Sequence, residues 1–199
     1  LNQVHGSEVL ALHPDLPDGV RADAALTDRA GLACTVMVAD CLPVLFTDLH
    51  GRAVAAAHAG WRGLAGGVLE ATLDRFRSLA GMQQAQAAIN KEADEIIAWL
   101  GPCIGPQAFE VGPEVRSAFV DDDAGATACF VPRADGKYLA DLPALARRRL
   151  AAAGVAHAYG NDGSADWCTV GNAARFFSYR RDQRRLGGSG RMAACIWRV

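Results

Sequence analysis

The sequence predicts an α+β fold, and three observations predict it. Short apolar runs rich in alanine and β-branched residues occur at 32–39, 44–47, 52–57 and 96–100. Two other stretches, 64–79 and 144–153, carry their apolar residues at helical spacing. The order of these segments mixes hairpin-like pairs with longer crossovers, which points to α+β rather than a strict alternation of strand and helix.

The chain opens with Gln3-Val4-His5-Gly6, a turn that enters a strand at Val9-Leu10-Ala11-Leu12. Gly6 makes the backbone beside His5 permissive, so an imidazole can be aimed there. Residues 14–19 hold two prolines, two aspartates and a glycine and read as a loop. Residues 22–27 lead into the run 32–39, which is apolar on both faces and reads as a strand covered on both sides. It stops at Asp40-Cys41, with Pro43 just behind. The segments 44–47 and 52–57 flank Asp48-Leu49-His50-Gly51, a hairpin turn. The hairpin brings the strand ends bearing Cys41 and His58 together.

His58 is followed at once by Ala59-Gly60-Trp61-Arg62-Gly63, so this stretch reads as strand, functional turn, helix. Leu64, Val68, Leu69, Leu73 and Phe76 form the helical stripe that follows. Residues 83–94 are polar and weakly patterned and read as part of an irregular helix. The strand at 96–100 is stopped by Gly101-Pro102-Cys103-Ile104-Gly105-Pro106, a rigid non-helical turn. Pro113 opens a helix through about Phe119, and 121–123 is a solvated acidic loop. Asp141 or a neighbour caps a second helix with Pro143 in its first turn, and Gly154 ends it. Then come a strand at 155–159, a short segment at 166–170, an aromatic and arginine cluster at 175–182, a loop at 187–190 and a closing strand at 192–197. No repeat or linker interrupts this, so one domain over 1–199 is expected.

Bulk properties narrow the function. The net charge of -2, with signs intermixed, gives no reason to expect nucleic acid or an anionic membrane as partner. Small-molecule chemistry is the default. The cysteines, 34, 41, 103, 129, 168 and 195, lack the tight spacing of a disulfide scaffold. They read as reduced thiols of a soluble cytoplasmic protein.

Three candidate metal ligands stand at the ends or turns of apolar stretches: His5, Cys41 and His58. Two imidazoles and a thiolate suit zinc, and three protein ligands leave the fourth tetrahedral position open, as in catalytic sites. The same residues admit other readings. Cys41 activated by His58 is a metal-free nucleophilic dyad, and Cys103 as a fourth ligand would close the site into a structural one. Arg62 is a candidate for phosphate or oxyanion binding, with an ordinary salt bridge as the plain alternative. Asp40 and Glu110 are candidate general acid or base groups.

Six motifs occur in one order: Gln3-Val4-His5-Gly6, Ala39-Asp40-Cys41-Leu42-Pro43, His58-Ala59-Gly60-Trp61-Arg62-Gly63, Gly101-Pro102-Cys103-Ile104-Gly105-Pro106, Phe109-Glu110-Val111 and Phe177-Ser178-Tyr179-Arg180-Arg181-Asp182. In them the chain resembles the YfiH/YlmD family, long labelled multicopper polyphenol oxidase or laccase-like and related to the mammalian enzyme FAMIN. The resemblance implies a four-layer α/β/β/α domain, with sheets sandwiched between helices. It implies phosphorolysis of adenosine, inosine, guanosine and methylthioadenosine, with purine nucleosides and phosphate as partners, and deamination of adenosine. It places the family's zinc ligands on His5, Cys41 and His58. Family members carry a further segment before the first motif, and residues 183–189 form a longer connection than the family pattern suggests. The laccase label makes copper the alternative metal, although a multicopper site needs histidines in HxH pairs, which this chain lacks.

Overall fold

The computed structural model describes residues 1–81 and 96–199. Its centre is a six-stranded mixed sheet in the spatial order β1 (Val9–Ala11), β2 (Ala24–Thr27), β5 (Val54–Ala59), β4 (Leu42–Asp48), β6 (Ile96–Leu100) and β10 (His157–Gly160). The inner pairings are antiparallel, while β1 with β2 and β6 with β10 are parallel. Hairpin and crossover connections thus coexist, as the α+β reading expects.

The alternation of side chains along β5 decides what lies on each face. Ala55, Ala57 and Ala59 join the main core with Phe46, Leu69, Leu73 and Phe76, on the side of α2 (Val68–Leu79) and α4 (Leu142–Ala152). Val54 and Ala56 face the other way, toward Cys34 and Val36. Those two belong to a second, two-stranded antiparallel sheet of β3 (Ala33–Val38) and β11 (Met192–Trp197). By the same alternation His58 points to the side of this small sheet. Alanines on β5 let layers approach closely on both of its faces. A third sheet of β7 (Glu110–Val111), β9 (Tyr138–Ala140) and β8 (Phe130–Pro132) lies beside α3 (Pro113–Val120).

Several expectations are met. The 44–47/52–57 hairpin forms with Pro43 opposite His58. Asp141 caps α4 by accepting from the Ala144 N–H at 2.9 Å, with Pro143 in the first turn. The 113–119 helix and the closing strand are present.

Others are corrected. The strand covered on both faces is β5, buried at every position. The run at 32–39 forms β3, in which Ala33 and Met37 are exposed and Cys34, Val36 and Val38 are buried. Its composition looked two-sided because exposed alanine and methionine cost little. The stripe at 64–79 is broken at Gly66-Gly67, where Gly67 takes a φ of +86°, so a short α1 (Trp61–Ala65) precedes α2. The strands β2 and β8 carried no assignment in the sequence. The outer face of the β3/β11 sheet exposes Met37, Ala193, Cys195 and Trp197. The segment at 83–94 lies outside the described residues. Among the described residues no helix is long and apolar enough to cross a membrane.

Phe76 sits at the middle of the main core with no exposure. Phe76→Ala is expected to cost about 3–5 kcal/mol. A urea titration will show the midpoint falling at unchanged slope; a loss under about 1 kcal/mol would mean that α2 does not anchor the sheet.

Candidate metal centre

The three candidate ligands arrive from three separate elements. His58 is the penultimate residue of β5. Cys41 precedes β4, one register step beyond the Leu42 and Ala59 pair. His5 stands in the opening turn with φ +62°, a left-handed conformation that a non-glycine residue adopts only when held. Their ligand atoms all lie within 4.8 Å of one another. The Cys41 Sγ is 3.6 Å from His5 Nε2, and the two imidazole centroids are 4.7 Å apart in an edge-on arrangement.

Asp23, a fully buried carboxylate just before β2, does the holding. Its Oδ1 accepts from the His5 N–H at 2.8 Å and meets His58 Nδ1 at 2.8 Å. Its Oδ2 accepts from the N–H groups of Gly6 at 2.7 Å and Val4 at 3.1 Å. One carboxylate therefore fixes the His5 turn and the His58 ring together. With Nδ1–H committed to Asp23, His58 keeps Nε2 for a metal, the outer-shell arrangement typical of histidine ligands.

Burial pushes the Asp23 carboxyl up, but His58 and the three backbone donors outweigh it and hold it below the usual value. Burial lowers the proton affinity of His58, opposed by Asp23 and assisted by His5 and Arg191. The imidazole is therefore neutral at pH 7, the form that binds metal. Burial, with help from the Asp40 charge and opposed by Arg191, pushes the Cys41 thiol up to about 12. A thiol in that state is a poor free nucleophile, and its nearest imidazole is His5 rather than His58. Burial thus disfavours the thiolate that a metal-free Cys41/His58 dyad would use.

Room for the group is made by Gly60. A Cβ there would stand 2.8 Å from both Cys41 Sγ and His5 Cδ2. Gly60 has φ -65° and ψ 158°, which alanine adopts without strain. Gly60→Ala is therefore expected to displace two ligands while leaving the backbone intact. Zinc affinity measured against a chelator should fall by at least about tenfold, in line with the loss of supporting contacts. The unfolding midpoint of the metal-free protein should move little. Unchanged affinity would show that the three side chains do not bind together.

The donor set suits a metal ion. Two nitrogens and one sulfur from protein, held by a buried carboxylate and opening on a cleft, match an open tetrahedral site. Cys103 does not supply a fourth ligand. It is buried, donates to the Ile104 carbonyl and accepts from Asn161 Nδ2, and among the described residues the group contains His5, Cys41 and His58 alone.

The cleft has a volume of about 650 Å³ and is also lined by Trp61, Ile104, Phe109, Tyr179 and the arginines 62, 180 and 191. Arg62 is in it, stacked over Trp61 at 4.5 Å, and makes no ion pair among the described residues. Asp40 is also at the cleft wall, with φ +85°. Its carboxylate accepts from Thr169 Oγ1 at 2.5 Å and the Arg180 N–H at 2.6 Å, so both oxygens brace the turn that carries Cys41. Glu110 stands apart. Its side chain pairs with Lys137 at 2.8 Å and lines a neighbouring depression, away from the ligands.

Sequence reasoning passed over Asp23, Tyr179 and Arg191. Asp23 had a usable signal, a charged residue directly before a run of small apolar ones. Arg191 had none beyond its place at the start of a strand.

A family model described as "Multi-copper polyphenol oxidoreductase laccase" matches residues 1–199. The Escherichia coli protein named purine nucleoside phosphorylase YfiH is 50% identical over 199 residues, covering 100% of this chain and 73% of that protein. A solved Neisseria meningitidis protein is 47% identical with a TM-score of 0.79, covering 99% of this chain and 73% of that one. The solved Bacillus licheniformis YfiH is 27% identical with a TM-score of 0.83, covering 100% and 73%. Motif order, fold and extent of match agree, and the chain belongs to the laccase-labelled family of YfiH-like proteins.

Proposed function

We propose that the chain is a zinc-dependent purine nucleoside enzyme of the cytoplasm. It would cleave adenosine, inosine, guanosine and methylthioadenosine with phosphate, and deaminate adenosine. The observation that carries the reading is the His5, Cys41 and His58 group opening on a cleft lined by aromatic rings and arginines. The name of the Escherichia coli relative gives the substrate class. A cleft of about 650 Å³ lies within the range of small-molecule sites.

Zinc at the three ligands would supply Lewis-acid polarisation. The remaining work falls to the chain. Phe109 and Tyr179 offer aromatic faces for a flat purine. In phosphorolysis a phosphate oxygen bonds to the ribose C1′ as the C1′–N9 bond breaks. The electron pair leaves with the base, which takes up a proton. Cleft arginines hold the phosphate charge through this exchange. In deamination, water adds at the purine C6 and ammonia leaves. Asp23 keeps the His58 ring fixed in both. Asp40 braces Cys41 and, as the carboxylate of the cleft wall, is the candidate to move protons, each oxygen keeping a lone pair beyond the hydrogen bond it accepts.

The test is chromatography of metal-loaded protein with each nucleoside, with and without phosphate. Hypoxanthine and ribose 1-phosphate from inosine, only when phosphate is present, support the reading, as does inosine from adenosine. Absence of all these products defeats it. A copper reading has one observation in its favour: a His₂Cys set with Met37 on the same cleft wall resembles the donors of a blue-copper centre. Only five histidines are present, too few for a multicopper array beside this group. A blue absorption band at stoichiometric copper would favour that reading.

A further inference from the structure

We propose that Arg191 is the residue that grips the phosphate beside the His5, Cys41 and His58 group, an assignment that rests on the phosphorolysis reading. The cleft wall carries three guanidinium groups, Arg62, Arg180 and Arg191, against one carboxylate, Asp40. The Asp40 oxygens accept from Thr169 and the Arg180 backbone. With three guanidinium groups against one carboxylate the cleft carries an excess of positive charge, and its matching ligand is an anion.

The arginines of this region are not equivalent. Arg181 is spent: it donates to the carbonyls of Thr169, Val170 and Phe176 and pairs with Asp182. Arg180 donates to the Glu110 carbonyl at 3.1 Å and lies over the Phe109 ring. Arg62 is stacked on Trp61. Arg191 makes no hydrogen bond or ion pair with any described residue, so its whole fork of donors is available. Its placement is also firm. The β3/β11 register sets Met192 opposite Val38, so Arg191 leaves the strand end beside the Ala39-Asp40-Cys41 turn. The preceding Gly190 packs against the Phe177 ring, where a Cβ would stand 2.6 Å from a ring carbon. An anion held by Arg191 therefore sits in the cleft that the candidate ligands open on.

The experiment compares the metal-loaded wild type with Arg191→Gln, Arg191→Lys and Arg133→Gln, the last an exposed arginine of the neighbouring depression. Inorganic phosphate is titrated by calorimetry, and KM for phosphate and for inosine are measured separately. Arg191→Gln should weaken phosphate binding roughly 10–100-fold, the range for hydrogen bonds to a charged group. KM for phosphate should rise in step while KM for inosine stays nearly constant. Arg191→Lys, which keeps the charge and loses the fork, should fall between, and Arg133→Gln should match wild type. Wild-type phosphate affinity in Arg191→Gln, or an equal loss in Arg133→Gln, overturns the assignment. Phosphorolysis that persists with an unchanged phosphate KM in Arg191→Gln sinks this inference alone. Phosphate binding through Arg191 without any ribose 1-phosphate from the wild type instead sinks the phosphorolysis reading and leaves the anion site standing.

Discussion

Cys41→Ala is expected to abolish both metal retention and turnover. The thiol is one of three protein donors, and the described residues hold no substitute within reach, since Cys103 is engaged elsewhere. Removing an outer-shell partner costs about 10–100-fold in metal affinity, and loss of a direct ligand should exceed that. Elemental analysis after dialysis should show near-stoichiometric zinc in the wild type and a small fraction in the variant. Chelation of the wild type should reproduce the loss, and added zinc should reverse it. Burial pushes the metal-free Cys41 thiol up to about 12, so a binding metal ion displaces its proton. Apparent affinity should therefore climb about tenfold per pH unit near neutrality, one proton being released per ion bound. Full activity after exhaustive chelation, or in Cys41→Ala, would remove the metal from the reaction.

Asp23→Asn should produce a loss of folded stability together with a loss of metal. The Asp23 oxygens face four donors, two on each oxygen. An asparagine must turn its NH₂ toward one pair, setting donor against donor in a buried site. Leaving buried donors unsatisfied costs about 1–3 kcal/mol, and more where the partner lost is charged. The His5 turn, left-handed at φ +62°, would lose the contacts that hold it. Denaturant titration and a zinc competition assay measure the two effects. Stability within about 1 kcal/mol of wild type would show that the carboxylate is not the organiser.

The same pair sets the acid sensitivity of the metal-free protein. His58 has a folded pKa below its unfolded value of 6.5, so the unfolded chain takes up a proton first and stability declines as pH falls below about 6.5. Asp23 also has a depressed folded pKa. Its contribution is intact above the unfolded value of 3.8 and is lost as pH falls through the folded one. Stability should therefore fall in two stages on acidification, and Asp23→Asn should shrink the lower one, to which Asp48, held low by Arg52, also contributes.

Much of this arrangement can be read along the chain, because it depends on local signals. The hairpin turn at Asp48-Leu49-His50-Gly51 dictates that β4 and β5 are neighbours, and neighbouring strands put Cys41 and His58 at the same end of the sheet. The Asp141 and Pro143 signals place the start of α4 for equally local reasons. Glu110 shows the limit, because adjacency to a motif does not say which way a side chain points. It turned to Lys137, whose position depends on how the third sheet folds back.

By itself the sequence determined the α+β class and the strand-turn-helix around His58; it only suggested His5, Cys41 and His58 as ligands, which the family resemblance singled out. The class and the turn follow from composition, periodicity or turn chemistry over a few residues. Only the tertiary structure decided that Asp23 holds both histidines, that Asp40 accepts from Thr169 and the Arg180 N–H and that Arg191 stands at the cleft with no partner among the described residues. These depend on contacts across 18, 35, 129 and 140 residues of chain, and on the β3/β11 register at the far end of it. Nothing in a local pattern records which distant donor will meet a buried carboxylate; packing of the layers around β5 settles it.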